Sequence, residues 1–114
     1  MVIDIQFEKS SNFLTLKELL KKQLEKYNRI EDIIIFGSAV KGKKNPKDID
    51  IALVMSQKDY PLAKQFYNDL PKLKIPIHTT VVLWNEVYTE PIWKSLLAEG
   101  FSIKEDRFIK ILSQ

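Results

Sequence analysis

The chain contains no cysteine, a single histidine and only three glycines in 114 residues. Without cysteine there can be no disulfide, no thiolate nucleophile and no zinc site with cysteine ligands, a pattern that fits a reducing compartment. No apolar run approaches the roughly 20 residues that a membrane-spanning helix needs. The opening residues, MVIDIQFEKS, set Asp4 and Glu8 among apolar positions and lack a basic stretch followed by an apolar one. They do not read as a signal peptide, and a cytoplasmic protein is expected. Excess charge is also scarce. The formal net charge of +3 does not by itself demand a nucleic-acid partner, so nucleic acid is not expected as a primary ligand.

What is present suits one soluble domain spanning residues 1–114. Apolar residues make up 45% of the chain and charged residues 29%, a balance that supports a buried core without a metal or disulfide staple. No internal repeat, low-complexity tract or linker divides it. Local charge is more informative than the total. Lys41, Lys43, Lys44 and Lys47 crowd one short stretch, either as a solvated loop or as an attractor for phosphate.

Apolar periodicity lays out the elements. Leu16, Leu19, Leu20, Leu24 and Tyr27 form a helical stripe, with Asn12 or Thr15 as its cap. Ile33-Ile34-Ile35-Phe36 is too short for a buried helix and rich in β-branched residues, so it predicts a buried strand. Gly37 ends that strand, and Ser38 to Lys41 can open a short helix that stops at Gly42. Lys43 to Lys47 is a loop, because Pro46 breaks regular structure and Asn45 favours turns.

Asp48 to Val54 predicts a second strand, with Ile49, Ile51 and Leu53 facing one way and Asp48, Asp50 and Ala52 the other. Leu62, Ala63, Phe66, Tyr67 and Leu70 are spaced for an amphipathic helix from Pro61, stopped by Pro71. Ile75 to Leu83 predicts a third strand. Pro91 can open a helix through Leu97 that ends at Gly100. Phe101 to Lys104 can add a short strand, and Arg107 to Leu112 is ambiguous between strand and helix. The order predicts an α+β, or mixed α/β, domain: a small sheet with helices packed on one face.

The segment IIIFGSAVKGKKNPKDIDIALV carries the chemistry. Asp48 and Asp50, two apart on a strand, emerge on one face roughly 6–7 Å apart along the backbone. Two such carboxylates repel each other, and hard divalent cations held by oxygen ligands remove that cost. The Gly37-Ser38 turn at a helix start offers backbone N–H groups and a hydroxyl suited to a phosphate. Metal ligands beside a phosphate cradle are the parts that phosphoryl or nucleotidyl transfer needs. A competing motif fails: Gly37-x-x-x-x-Gly42-Lys43 approaches the phosphate loop of NTPases, but Lys44 stands where Ser or Thr must bind magnesium, and Pro46 prevents the following helix.

At these residues the chain resembles the polymerase-β-like nucleotidyltransferase superfamily, whose signature is Gly-Ser, a spacer and Asp-x-Asp. It looks most like the minimal nucleotidyltransferases, short single-domain proteins of about this length. The resemblance implies that Gly37 and Ser38 bind a triphosphate; Lys43 and Lys44 flank that site in the sequence and are candidate phosphate contacts. It also implies that Asp48 and Asp50 hold two magnesium ions. The reaction implied is transfer of a nucleoside monophosphate from an NTP, ATP being the expected one, to a hydroxyl of an unidentified acceptor. The family usually adds a third carboxylate on a following strand. Here that strand reads Ile75-Pro76-Ile77-His78-Thr79-Thr80-Val81-Val82, so the equivalent is His78, or Thr79 if the register slips by one. An imidazole can ligate a divalent metal or act as a base near neutral pH, but it is a poorer magnesium ligand than a carboxylate. His78 is thus the third catalytic candidate, against the ordinary reading of a lone strand histidine as a hydrogen-bonded structural residue.

The same resemblance supplies a second function: a catalytically impaired antitoxin or binding module that engages a HEPN-type helical partner. So small a domain offers little surface to enclose an acceptor, which leaves a homo-oligomer or another chain open as a contributor to the site. Trp84, Tyr88 and Trp93 can stack on a base or, more simply, pack the last helix against the sheet.

Overall fold

The hydrophobic run Ile33–Phe36 becomes the centre of a sheet. The computed structural model describes residues 11–37, 48–70, 76–91, 93 and 100–109. Along the chain lie helix α1 (Ser11–Lys26), strands β1 (Ile30–Phe36) and β2 (Ile49–Met55), helix α2 (Tyr60–Asp69), strand β3 (Ile77–Leu83), helix α3 (Trp84–Thr89) and the short strands β4 (Phe101–Ser102) and β5 (Arg107–Phe108). The sheet order is β3-β2-β1-β4-β5. β1 runs antiparallel to both β2 and β4, whereas β2 and β3 are parallel and joined through α2.

Alternation along β2 separates two cores. Ile49, Ile51, Leu53 and Met55 pack with Leu16 and Leu20 of α1 and Ala63 and Phe66 of α2. Ala52 and Val54 point the other way, into a smaller cluster with Ile34, Phe36 and Val82, against which Trp93 and Ile109 pack. The two long helices therefore share one face of the sheet, and burial of β1 on both faces explains its unbroken apolar run. Tyr67 departs from the expected stripe of α2: it is 44% exposed, while Phe66 beside it is fully buried.

Helix α2 starts where Asp59 caps it, its carboxylate accepting from Leu62 N at 3.0 Å, with Pro61 in the first turn. A polar clasp joins the ends of the two helices. Tyr27 donates its hydroxyl to Asp69 at 2.8 Å, and Lys26 pairs with the same carboxylate.

β1 begins earlier than its apolar run, because the buried Asp32 is fully accommodated. Its carboxylate accepts from Ser102 Oγ at 2.6 Å, Ile33 N at 2.7 Å and Lys104 N at 3.0 Å. β4 is shorter than Phe101 to Lys104, since Ile103 to Asp106 turn back and Asp106 takes a φ of 56°. Arg107 and Phe108 resolve as strand. Helix α3 has no counterpart among the expected elements. The helix from Ser38, the Lys43–Lys47 loop, the stop at Pro71 and most of the helix expected from Pro91 lie outside the described residues. Among the described residues no helix is long and apolar enough to cross a membrane.

Candidate functional site

Parallel pairing of β2 with β3 decides which β3 residue meets the aspartates. The register sets Asp50 opposite His78 and Ile51 opposite Thr79, over seven consecutive pairs. Ile49 N donates to Pro76 O at 2.9 Å and anchors the end of that ladder beside the site. His78 therefore shares the face of Asp50, and Thr79 does not. Thr79 instead lines a shallow depression between β3 and α2 with Tyr60, Lys64, Tyr67 and Asn68. The sequence gives no sign of that depression, because Tyr67 reads as part of an apolar stripe.

Asp48, Asp50 and His78 each offer one ligating atom, and these atoms lie within 4.8 Å of one another. His78 Nδ1 stands 3.7 Å from Asp48 Oδ2 and 3.8 Å from Asp50 Oδ1. These separations exceed hydrogen-bonding distance, so the three side chains enclose a space instead of closing on each other. Both aspartates are half-buried and His78 is exposed, which leaves the space accessible.

Gly37 supports the site from β1. Its φ of +82° favours glycine, and Phe36 before it pairs with Asp50. A Cβ on Gly37 would lie 2.8 Å from Asp50 Oδ2, so the glycine also makes room for this carboxylate. Burial raises the Asp50 carboxyl above its ordinary value, the neighbouring Asp48 raises it further, and His78 opposes both. A cation placed among the three would relieve the repulsion between the carboxylates and compensate their lost hydration.

Of the residues singled out in the sequence, the fold brings together Gly37, Asp48, Asp50 and His78. Ser38, Lys43 and Lys44 lie outside the described residues. Trp84 is largely exposed at the start of α3, Trp93 packs on the smaller core, and the Tyr88 side chain is outside the described set.

Comparison with known proteins bears on the same span. The family model described as "Polymerase beta, Nucleotidyltransferase" matches residues 18–107, which contain Gly37, Asp48, Asp50 and His78. A crystal structure of a provisionally assigned nucleotidyltransferase from Sulfolobus solfataricus is similar at 20% sequence identity and a TM-score of 0.46, covering 64% of this chain and 71% of that one. A likeness that distant says nothing about the chemistry of this site. No curated protein matches the chain at significance.

Proposed function

We propose, for a chain that belongs to the polymerase beta nucleotidyltransferase family, a cation-dependent transfer of a nucleoside monophosphate from an NTP to an acceptor hydroxyl. ATP is the expected nucleotide, magnesium the cation that family resemblance implies, and the cytoplasm the expected setting. The observation that carries this reading is the convergence of Asp48, Asp50 and His78 on one accessible space beside the positive-φ Gly37.

The residues present fit a divalent cation. Two carboxylates supply hard oxygen ligands and two negative charges, and burial, with Asp48 beside it, already holds the Asp50 carboxyl above its ordinary value. A divalent cation bound there would neutralise phosphate charge and make the α-phosphorus more open to in-line attack. The protein's own part is positional. The β2–β3 ladder fixes the spacing of the ligands, and Gly37 lets the backbone run close to Asp50. In the transfer, the acceptor hydroxyl releases its proton to solvent as its oxygen bonds to the α-phosphorus, the bond from that phosphorus to the bridging oxygen breaks, and pyrophosphate leaves. Ser38, Lys43 and Lys44 enter the proposal from the sequence as phosphate contacts.

Asp48→Ala and Asp50→Ala are expected to abolish metal-dependent nucleotide binding and transfer while leaving the folded circular-dichroism spectrum intact. Unchanged transfer in both variants would sink the assignment.

One observation favours a second reading. His78 occupies the β3 position opposite Asp50, on the strand where the resemblance implies a third carboxylate. On this reading the domain has lost turnover and acts by binding a HEPN-type protein. Recovery of such a complex with no nucleotide incorporated into either chain would support it.

A further inference from the structure

We propose that Asp48, Asp50 and His78 form a mixed oxygen–nitrogen site in which the His78 imidazole is a direct ligand, biasing the site toward later first-row transition-metal dications such as Co2+ and Zn2+ and away from Mg2+. This rests on the cation-binding part of the proposed function and is independent of nucleotide transfer.

Geometry gives the first support. Donors sharing one ion at bonds of about 2.0–2.2 Å sit roughly 3–3.5 Å apart in tetrahedral or octahedral arrangements. His78 Nδ1 lies 3.7 and 3.8 Å from one oxygen of each aspartate, and the three ligating atoms all lie within 4.8 Å of one another, so a side-chain movement of about an ångström or less brings all three onto one ion. His78 is exposed and both aspartates are half-buried, so the side chains have freedom to make that movement. The backbone does not have to shift, because the continuous β2–β3 register already places His78 across from Asp50.

Chemistry gives the second. Magnesium demands near-octahedral oxygen coordination and dehydrates reluctantly, and manganese also keeps to oxygen ligands, whereas imidazole nitrogen suits zinc and the later first-row metals. With a neutral imidazole as the third ligand, the ligand charge is the two negative charges of Asp48 and Asp50, which one dication balances. Three ligands on one side of the ion leave its remaining positions open to water or phosphate oxygen.

Composition makes the inference unusually testable. With one histidine and no cysteine in the chain, thiolate ligands are excluded and an imidazole ligand has to be His78. The imidazole resonances in a nitrogen–proton correlation spectrum therefore report on one residue without ambiguity. The full chain, free of nucleotide, would be titrated with MgCl2, MnCl2, CoCl2 and ZnCl2 by calorimetry, with the imidazole followed by NMR during the zinc and magnesium titrations.

One equivalent of Zn2+ is expected to shift the imidazole nitrogen resonance to that of a metal-bound ring, and Mg2+ to leave it in place. Carboxylates alone also favour transition metals, so the selectivity is read as its change on substitution. His78→Ala should weaken Co2+ and Zn2+ binding about tenfold or more while altering Mg2+ and Mn2+ binding little, and His78→Asp should raise Mg2+ affinity. An imidazole resonance unmoved by stoichiometric Zn2+, equal effects of His78→Ala on all four ions, or no metal binding at all would overturn the proposal. If the imidazole stays unmoved while Mg2+-dependent nucleotide binding is lost in Asp48→Ala, the proposed function survives and this inference fails. Zinc ligation by His78 without any nucleotide binding would have the opposite meaning.

Discussion

Gly37 carries two constraints at a single Cα. Its φ of +82° is costly for any residue with a side chain, and the volume a Cβ would fill is held by Asp50 Oδ2. Gly37→Ala is therefore expected to cost about 1–2 kcal/mol from backbone conformation alone. The more specific consequence is displacement of the Asp50 carboxylate. Chemical denaturation should show the stability loss, and divalent-cation affinity should fall with it. A variant destabilised to this extent with unchanged cation affinity would mean that Asp50 does not need its observed position. The glycine is visible in the sequence as the end of a strand. Its contact with Asp50 is not, since it depends on the antiparallel pairing of β1 with β2, which brings together residues far apart in the chain.

At the level of elements, the short strand β4 is held to β1 through a buried polar node. Ser102 is fully buried and donates to Asp32, while Glu105 N donates back to Ser102 Oγ at 3.1 Å. Burial raises the Asp32 carboxyl above its ordinary value, against three hydrogen bonds and Lys104, which lower it. A raised folded-state value means that the folded chain takes up this proton more readily than the unfolded chain. This contribution to stability therefore grows as pH falls through the folded value toward the ordinary one and is lost as pH rises through it.

Ser102→Ala removes a donor to the carboxylate and is expected to cost about 1–3 kcal/mol at neutral pH. The loss should shrink in acid, where Asp32 is protonated, as urea unfolding at the two pH values would show. A loss independent of pH would contradict the assignment of the node to an ionised Asp32. Phe66, buried under α2, makes the apolar counterpart: Phe66→Ala is expected to cost about 3–5 kcal/mol in the same assay.

The major elements are legible because their signals are local. The stripe Leu16, Leu20, Leu24 and Tyr27, the Ile33–Phe36 run and the alternation after Asp48 each announce a period. The start of β1 and helix α3 are not legible, for a complementary reason. Asp32 and Glu31 interrupt the apolar pattern, and Asp32 is tolerable in a strand because the distant Ser102 and Lys104 join the adjacent Ile33 in donating to it. Helix α3 spans only six residues, too few for a periodic pattern, and its start is fixed by Glu86 accepting from Leu83 N at 2.8 Å. Tyr67 shows the limit of periodicity itself, since spacing that suits an apolar stripe also suits its exposed margin.

For the whole molecule, the sheet keeps the candidate site away from its main core. The odd-numbered residues of β2 lie beneath α1 and α2, whereas the aspartates share a face with the smaller cluster and emerge beyond its edge. This lets the site remain accessible without opening the larger core, so variants at Asp48 and Asp50 should fold normally. The Asp-x-Asp pair and Gly37 can be read directly from the chain. The choice of His78 over Thr79 cannot, because a one-residue slip exchanges the two faces of a strand and only the β2–β3 ladder removes that ambiguity.

Isothermal titration probes a cation-dependent nucleotide site at Asp48 and Asp50 without any intermediate assumption. ATP, GTP, CTP and UTP would be titrated into the wild-type chain and into Asp48→Ala/Asp50→Ala, with and without divalent cation. Saturable nucleotide binding by the wild type is expected to require the cation and to disappear in the folded double variant. Nucleotide binding that persists in the double variant, or no binding of any nucleotide with either magnesium or manganese present, would contradict that assignment.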